Sequence, residues 1–136
     1  MEVVSLKWRG PYECDRLNEV CQDWGIYAIC RKWAETDEKI LYIGETYFQE
    51  IPQRLSQHGW WLNDLRGNVR IRFAEIVLET GSKHSHERTK DIEALLIYNH
   101  QPKYNIQNRN FYEGRSLRIV NTGRHGPIRK VIRSPL

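Results

Sequence analysis

From Trp24 the apolar residues fall into short alternating runs separated by polar breaks. Ile26, Ala28 and Cys30 alternate with Tyr27 and Ile29, the two-residue period of a strand. Glu35-Thr36-Asp37-Glu38-Lys39 forms a polar turn, and Ile40-Leu41-Tyr42-Ile43 reads as the returning strand of a hairpin. Ile51, Leu55 and Leu62 then keep helical spacing, with Pro52 where a first turn tolerates it and Gly59 weakening the later part. Val69, Ile71 and Phe73 alternate with Arg70 and Arg72 and run on into Ile76-Val77-Leu78, a third strand broken by Thr80-Gly81-Ser82. A helix over about 84–99 carries Ile92, Leu95, Leu96 and Asn99 on one stripe, and Pro102 stops it.

The order strand, strand, helix, strand, helix predicts a small α+β domain over residues 24–108. Residues 1–23 read as an N-terminal extension, in which Asp15 would cap a short helix burying Leu17, Val20 and Cys21. Residues 109–136 form a basic C-terminal segment. There Leu117-Arg118-Ile119-Val120 and the run from Ile128 to Ile132 flank Asn121-Thr122-Gly123, a pattern that suits a hairpin packed on the domain.

Length and composition narrow the class. The chain has 136 residues, enough for one core, with 40% hydrophobic and 28% charged residues. No apolar run approaches the roughly 20 residues of a membrane span, and the start lacks the order of a secretory signal. Cys14, Cys21 and Cys30 make no C-x-x-C pair, so free thiols in a reducing, cytoplasmic setting are expected rather than a zinc knuckle or a disulfide framework.

The net charge of +4 is unevenly placed. Residues 1–108 hold 14 Lys and Arg against 16 Asp and Glu, whereas residues 109–136 hold seven against one. Those seven are Arg109, Arg115, Arg118, Arg124, Arg129, Lys130 and Arg133. Six are arginines, whose planar fork suits phosphate oxygens, so this segment is expected to meet a nucleic-acid backbone.

Two tripeptides, Gly25-Ile26-Tyr27 and Tyr42-Ile43-Gly44, sit on the two hairpin strands. Arg54 and His58 follow on the first helix, Glu93 on the second, and Asn105 just after Pro102-Lys103-Tyr104. Each has an ordinary structural reading when taken singly: strand tyrosines pack, helix Arg and Glu are solvated, and Asn after a proline turn is a loop residue. Together and in this order they resemble the GIY-YIG nuclease family over about residues 24–106. The resemblance implies a three-stranded antiparallel sheet flanked by helices and a metal-dependent DNA endonuclease. Its site would gather Tyr27, Tyr42, Arg54, Glu93 and Asn105 around the scissile phosphate, with Mg2+ or Mn2+ resting on Glu93.

The chemistry suits those residue types. Attack of water on a phosphodiester needs screening of negative charge and removal of a proton. A hard cation that keeps several waters needs few protein ligands, so one carboxylate, Glu93, suffices. Arg54 would stabilise charge on the non-bridging oxygens. Tyr27 is the candidate general base or relay, its ordinary pKa of about 10 requiring nearby positive charge; Tyr42 would orient water or phosphate. His58, four residues after Arg54 and so on its helix face, would activate a tyrosine or touch phosphate. Asn105 would fix the loop after the second helix or contact phosphate.

Departures from the family pattern accompany the match. The stretch between the tripeptides is long, and Glu45 stands where many members carry a basic or amide residue, so no cation's role passes to that position. Glu45 is expected to turn aside, the alternatives being a second metal contact or repulsion of phosphate. His84 and His86 are two apart on a helix and point about 200° from one another, which excludes a shared tetrahedral metal. Trp60-Trp61 suits core and rim packing, with base stacking by an exposed indole as the other reading. The rivals to an enzyme are a non-catalytic nucleic-acid-binding module on the same scaffold and a basic interaction domain for an acidic partner. Oligomeric state and DNA target are open at this stage.

Overall fold

The alternating segments assemble into one six-stranded mixed sheet in the computed structural model of the chain, which describes residues 1–13, 24–33, 37–47, 66–79 and 82–135. The elements are β1 (Glu2–Glu13), β2 (Trp24–Lys32), β3 (Lys39–Tyr47), β4 (Asn68–Val77), α1 (His86–His100), β5 (Leu117–Gly123) and β6 (Val131–Arg133). The strand order is β3-β2-β4-β1-β5-β6. β2 pairs antiparallel with β3 and with β4, β1 antiparallel with β4, and β5 parallel to β1 and antiparallel to β6.

This corrects the expected three-stranded antiparallel sheet flanked by helices. The three expected strands are present as β3-β2-β4, but the sheet continues for three more, and the described residues contain a single helix. The reason lies in residues 2–13. Val4, Leu6 and Trp8 are buried and alternate with Ser5 and Lys7, so one face of this segment belongs to the core. β1 therefore occupies the edge of β4 that a three-stranded sheet would leave open, and β5 pairs along the far side of β1. Pro11, which has no N–H to donate, sits where the β1–β4 register shifts between Arg9 and Tyr12.

Each face of the sheet carries its own core. On one side Ile26, Ala28, Cys30, Ile43, Ala74, Leu6, Trp8, Leu117 and Ile119 pack with Ile92, Leu95, Leu96 and Ile97 of α1. Burying a leucine or isoleucine of that stripe is worth roughly 1.5–3 kcal/mol, which anchors a helix of mixed composition. On the other side Tyr27, Ile29, Ile71 and Phe73 are fully buried, with Tyr12, Tyr42, Val69 and Tyr104 around them. With both faces covered, all of Gly25–Cys30 is buried, and β2 becomes the most enclosed strand.

α1 starts where Ser85 caps it, its hydroxyl accepting from the Arg88 N–H at 3.1 Å. It ends in Gln101, whose left-handed φ of 53° closes the helix against the Ile97 carbonyl ahead of Pro102. No helix among the described residues is long and apolar enough to cross a membrane. The expected helices around Leu17 and Leu55 lie outside the described residues.

Candidate active site

The β2–β3 register decides where the two motif tyrosines go. Tyr27 lies opposite Gly44, and Tyr42 opposite Ile29, so the tyrosines are diagonal neighbours on one face. Their ring centroids are 6.1 Å apart with planes tilted by 31°. Tyr27 is fully buried and Tyr42 half-buried.

The motif glycines make room for aromatic rings on this face. A Cβ on Gly44 would stand 2.4 Å from both Cζ and Oη of Tyr27. A Cβ on Gly25 would stand 2.5 Å from Cε2 of Phe73 and 2.6 Å from the Ala74 carbonyl oxygen. Phe73 is in turn the β4 partner of Tyr27. Gly44, Tyr27 and Phe73 thus form one cross-strand row, continued by Arg9 on β1.

Asn105 holds the free edge of β3. Its Oδ1 accepts from the Ile43 N–H at 2.9 Å, and its Nδ2 donates to the Ile43 carbonyl at 2.9 Å. Two residues earlier along β3 the Leu41 carbonyl accepts from the Tyr104 N–H at 2.8 Å. A buried amide side chain therefore stands in for a neighbouring strand at the middle residue of Tyr42-Ile43-Gly44. These contacts tie the loop after α1 to β3.

α1 runs antiparallel along this strand. At its start the His86 Nε2 lies 3.3 Å from Oε1 of Glu45, and the turn beyond its end meets Leu41 and Ile43. Glu93, seven residues from either end of the helix, therefore lies alongside the middle of β3, half-buried. Glu45 faces α1 rather than the tyrosine face, and its Oε2 is buried without a hydrogen-bond partner. Among the described residues no group of three or more His, Cys, Asp or Glu gathers at one point. The carboxylates of Glu45 and Glu93 offer oxygen donors, the type that a hard divalent cation takes. Arg54, His58 and Trp60-Trp61 lie outside the described residues.

The basic segment divides on inspection of its contacts. Arg115 is bound structurally, with Nε 2.7 Å from Asp91 on α1 and a second ion pair to Glu2 of β1. Its guanidinium is held more firmly protonated by the Asp91 hydrogen bond. Arg118 lies half-buried on β5, while Arg124, Lys130 and Arg133 are exposed. Arg109 and Arg129 line a cleft at the C-terminal end of α1, shared with cations from outside the segment.

Arg9 and Tyr104 escaped the sequence reading. Arg9 lies with its guanidinium carbon 5.2 Å above the Phe73 ring, and its Nε and one terminal nitrogen are buried without partners. Tyr104 packs beside Tyr42 in the Tyr27 cluster. The alternation through Val4, Leu6 and Trp8 was the available signal for Arg9, since it marks a strand on which Arg9 takes the opposite face.

The sequence profile of the GIY-YIG catalytic domain matches residues 23–105, more than half of the chain. No curated protein and no solved structure matches the chain. The matched span contains β2, β3, β4 and α1, and with them both tripeptides, Glu93 and Asn105. On this match, together with the neighbouring motif tyrosines and the seating of Tyr27 over Gly44, the chain belongs to the GIY-YIG family of nucleases.

Proposed function

We propose that the protein is a metal-dependent DNA endonuclease that hydrolyses phosphodiester bonds at the Tyr27–Tyr42 face. The observation that carries this reading is the cross-strand arrangement of the tyrosines, 6.1 Å apart, with Gly44 left bare to seat the Tyr27 ring. A buried, closely packed phenol has a fixed position, and a fixed position is what a proton acceptor needs.

In this reading Tyr27 takes the proton of the attacking water through Oη, and Tyr42, the more exposed of the pair, orients water or phosphate. Arg54 balances charge on the non-bridging oxygens, and His58 acts on a tyrosine hydroxyl or on phosphate. Asn105 positions rather than reacts, because both ends of its amide are engaged by Ile43. Glu93 would hold Mg2+ or Mn2+. When bound, the cation would screen the phosphate and lower the pKa of its water.

The test is Glu93→Ala, assayed for cleavage and for binding of the same DNA. Cleavage is expected to be lost while affinity in chelator stays within a few-fold. A variant that cuts at the wild-type rate would remove the metal role from Glu93.

A further inference from the structure

At the C-terminal end of α1 a cleft of about 710 Å3 opens beside the β3 edge. Arg31, Lys39, Lys103, Arg109 and Arg129 line it, against a single carboxylate, Glu38. Four separate stretches of chain deliver these five cations: the end of β2, the start of β3, the turn after α1, and the loop before β6.

The charges of these side chains are uncommitted. Among the described residues every ion pair is made by Arg70, Arg72, His86, Arg88 or Arg115, and none by these five. Their contacts are with neutral groups. Arg129 donates to the Asn99 side-chain oxygen, Arg31 lies over the Trp33 ring and Lys103 over the Tyr104 ring. Glu38 is neutralised from below by Arg72, whose Nε is 2.8 Å from Oε2, and by Arg70. Burial would raise the Glu38 carboxyl, but the hydrogen bonds and charge of Arg72 outweigh it and hold the group ionised below its usual range.

Nor do these cations serve the carbonyls near the helix end that have partners. The Ile97 carbonyl is taken by the Gln101 N–H, the Leu96 carbonyl by His100 Nδ1, and the Tyr98 carbonyl by the Gln101 side chain. Unpaired cations converging on one concavity raise its potential well beyond that of scattered surface charges. Along the chain the cleft borders two residues of the tyrosine cluster. Leu41 in its wall is followed by Tyr42, and Lys103 by Tyr104.

We propose that this cleft holds the phosphodiester backbone of the nucleic-acid substrate on its way from the tyrosine face, and that it, rather than the C-terminal segment as a whole, is the surface that tracks the strand. The inference rests on the nuclease reading and adds where the substrate lies. Arg115 belongs to the fold, and Lys130 and Arg133 lie outside the cleft.

The test uses the full chain and a short mixed-sequence duplex in chelator, with binding followed by fluorescence anisotropy across salt concentrations. Five phosphate contacts predict a slope of log affinity on log salt of about −4.5. The triple variant Lys39→Gln, Lys103→Gln, Arg129→Gln, altered at exposed positions, should flatten it to about −1.8 and weaken binding tenfold or more. Lys130→Gln with Arg133→Gln should keep the wild-type slope. Equal slopes for wild type and triple variant, a flattening confined to the Lys130 and Arg133 variant, or a wild-type slope near zero would each overturn the cleft. Cleavage of plasmid is scored separately: a wild type that binds with the steep, cleft-dependent slope yet never cuts leaves the cleft standing and brings down the nuclease reading.

Discussion

Replacing Gly44 by alanine adds one methyl group where the Tyr27 ring leaves no room for it. The new carbon would lie 2.4 Å from Cζ and Oη of Tyr27 and 2.8 Å from Cε1. Carbon atoms in contact prefer about 3.5–4.0 Å, so the ring or the strand must give way by about 1 Å. The ring cannot swing into solvent, because Tyr27 is fully buried among Ile29, Ile71 and Phe73. Overpacking of this kind costs about 1–3 kcal/mol, and misplacing a reacting group by about 1 Å costs on the order of a hundredfold in rate. Chemical denaturation would measure the first effect, and single-turnover cleavage of plasmid the second. A double-mutant cycle isolates the cause: in a Tyr27→Leu background, which lacks the Cζ and Oη atoms, Gly44→Ala should cost well under 1 kcal/mol. Wild-type stability and rate in Gly44→Ala, or an unchanged cost in the Tyr27→Leu background, would refute the seating of Tyr27 over Gly44.

Three further outcomes follow from particular contacts. Asn105→Ala leaves the Ile43 N–H and carbonyl without their buried partner and is expected to cost roughly 2–4 kcal/mol by denaturant unfolding; Asn105→Asp should restore only part of this, since its second oxygen faces the Ile43 carbonyl. His100 has a pKa lowered by burial, which outweighs the opposing hydrogen bond to Leu96 and is aided to a lesser degree by Arg129, and its Nε2 accepts from the Arg129 N–H. The unfolded chain therefore binds the proton more readily, so His100's contribution is complete above about pH 6.5 and is lost as pH falls below it; His100→Gln should flatten that part of a stability–pH curve. Arg9→Met removes buried guanidinium nitrogens that have no acceptor and should raise the unfolding free energy by about 1 kcal/mol, whereas a loss of stability would show that the stack on Phe73 outweighs them.

The parts of the fold that the sequence exposed are those where one physical signal acts locally. The alternation through Ile26, Ala28 and Cys30 marks β2, and the stripe of Ile92, Leu95 and Leu96 marks α1, because each element buries its own periodic face. β1 carries the same alternation in Val4, Leu6 and Trp8 but was read as part of an extension. Its place in the sheet depends on pairing with β4, whose partners are 57–72 residues away in the chain, and with β5, 115 residues away, which no local pattern announces. Tyr27 and Tyr42 were legible as a pair because they lie on adjacent strands of one hairpin. The cleft was not legible, because Arg31, Lys39 and Lys103 come from segments of unremarkable local charge and meet Arg109 and Arg129 of the basic segment only in the fold. Counting charge by segment favoured residues 109–136, yet the Asp91 and Glu2 carboxylates claim Arg115 for the fold.

Whether the tyrosine face hydrolyses phosphodiesters is decided by single-turnover nicking of supercoiled plasmid in Mg2+ by wild type and Tyr27→Phe. Wild type is expected to give nicked product, and Tyr27→Phe a rate at least about a hundredfold lower at unchanged DNA affinity. Nicking by Tyr27→Phe at the wild-type rate, or none by wild type on DNA that it binds, would contradict hydrolysis at that face.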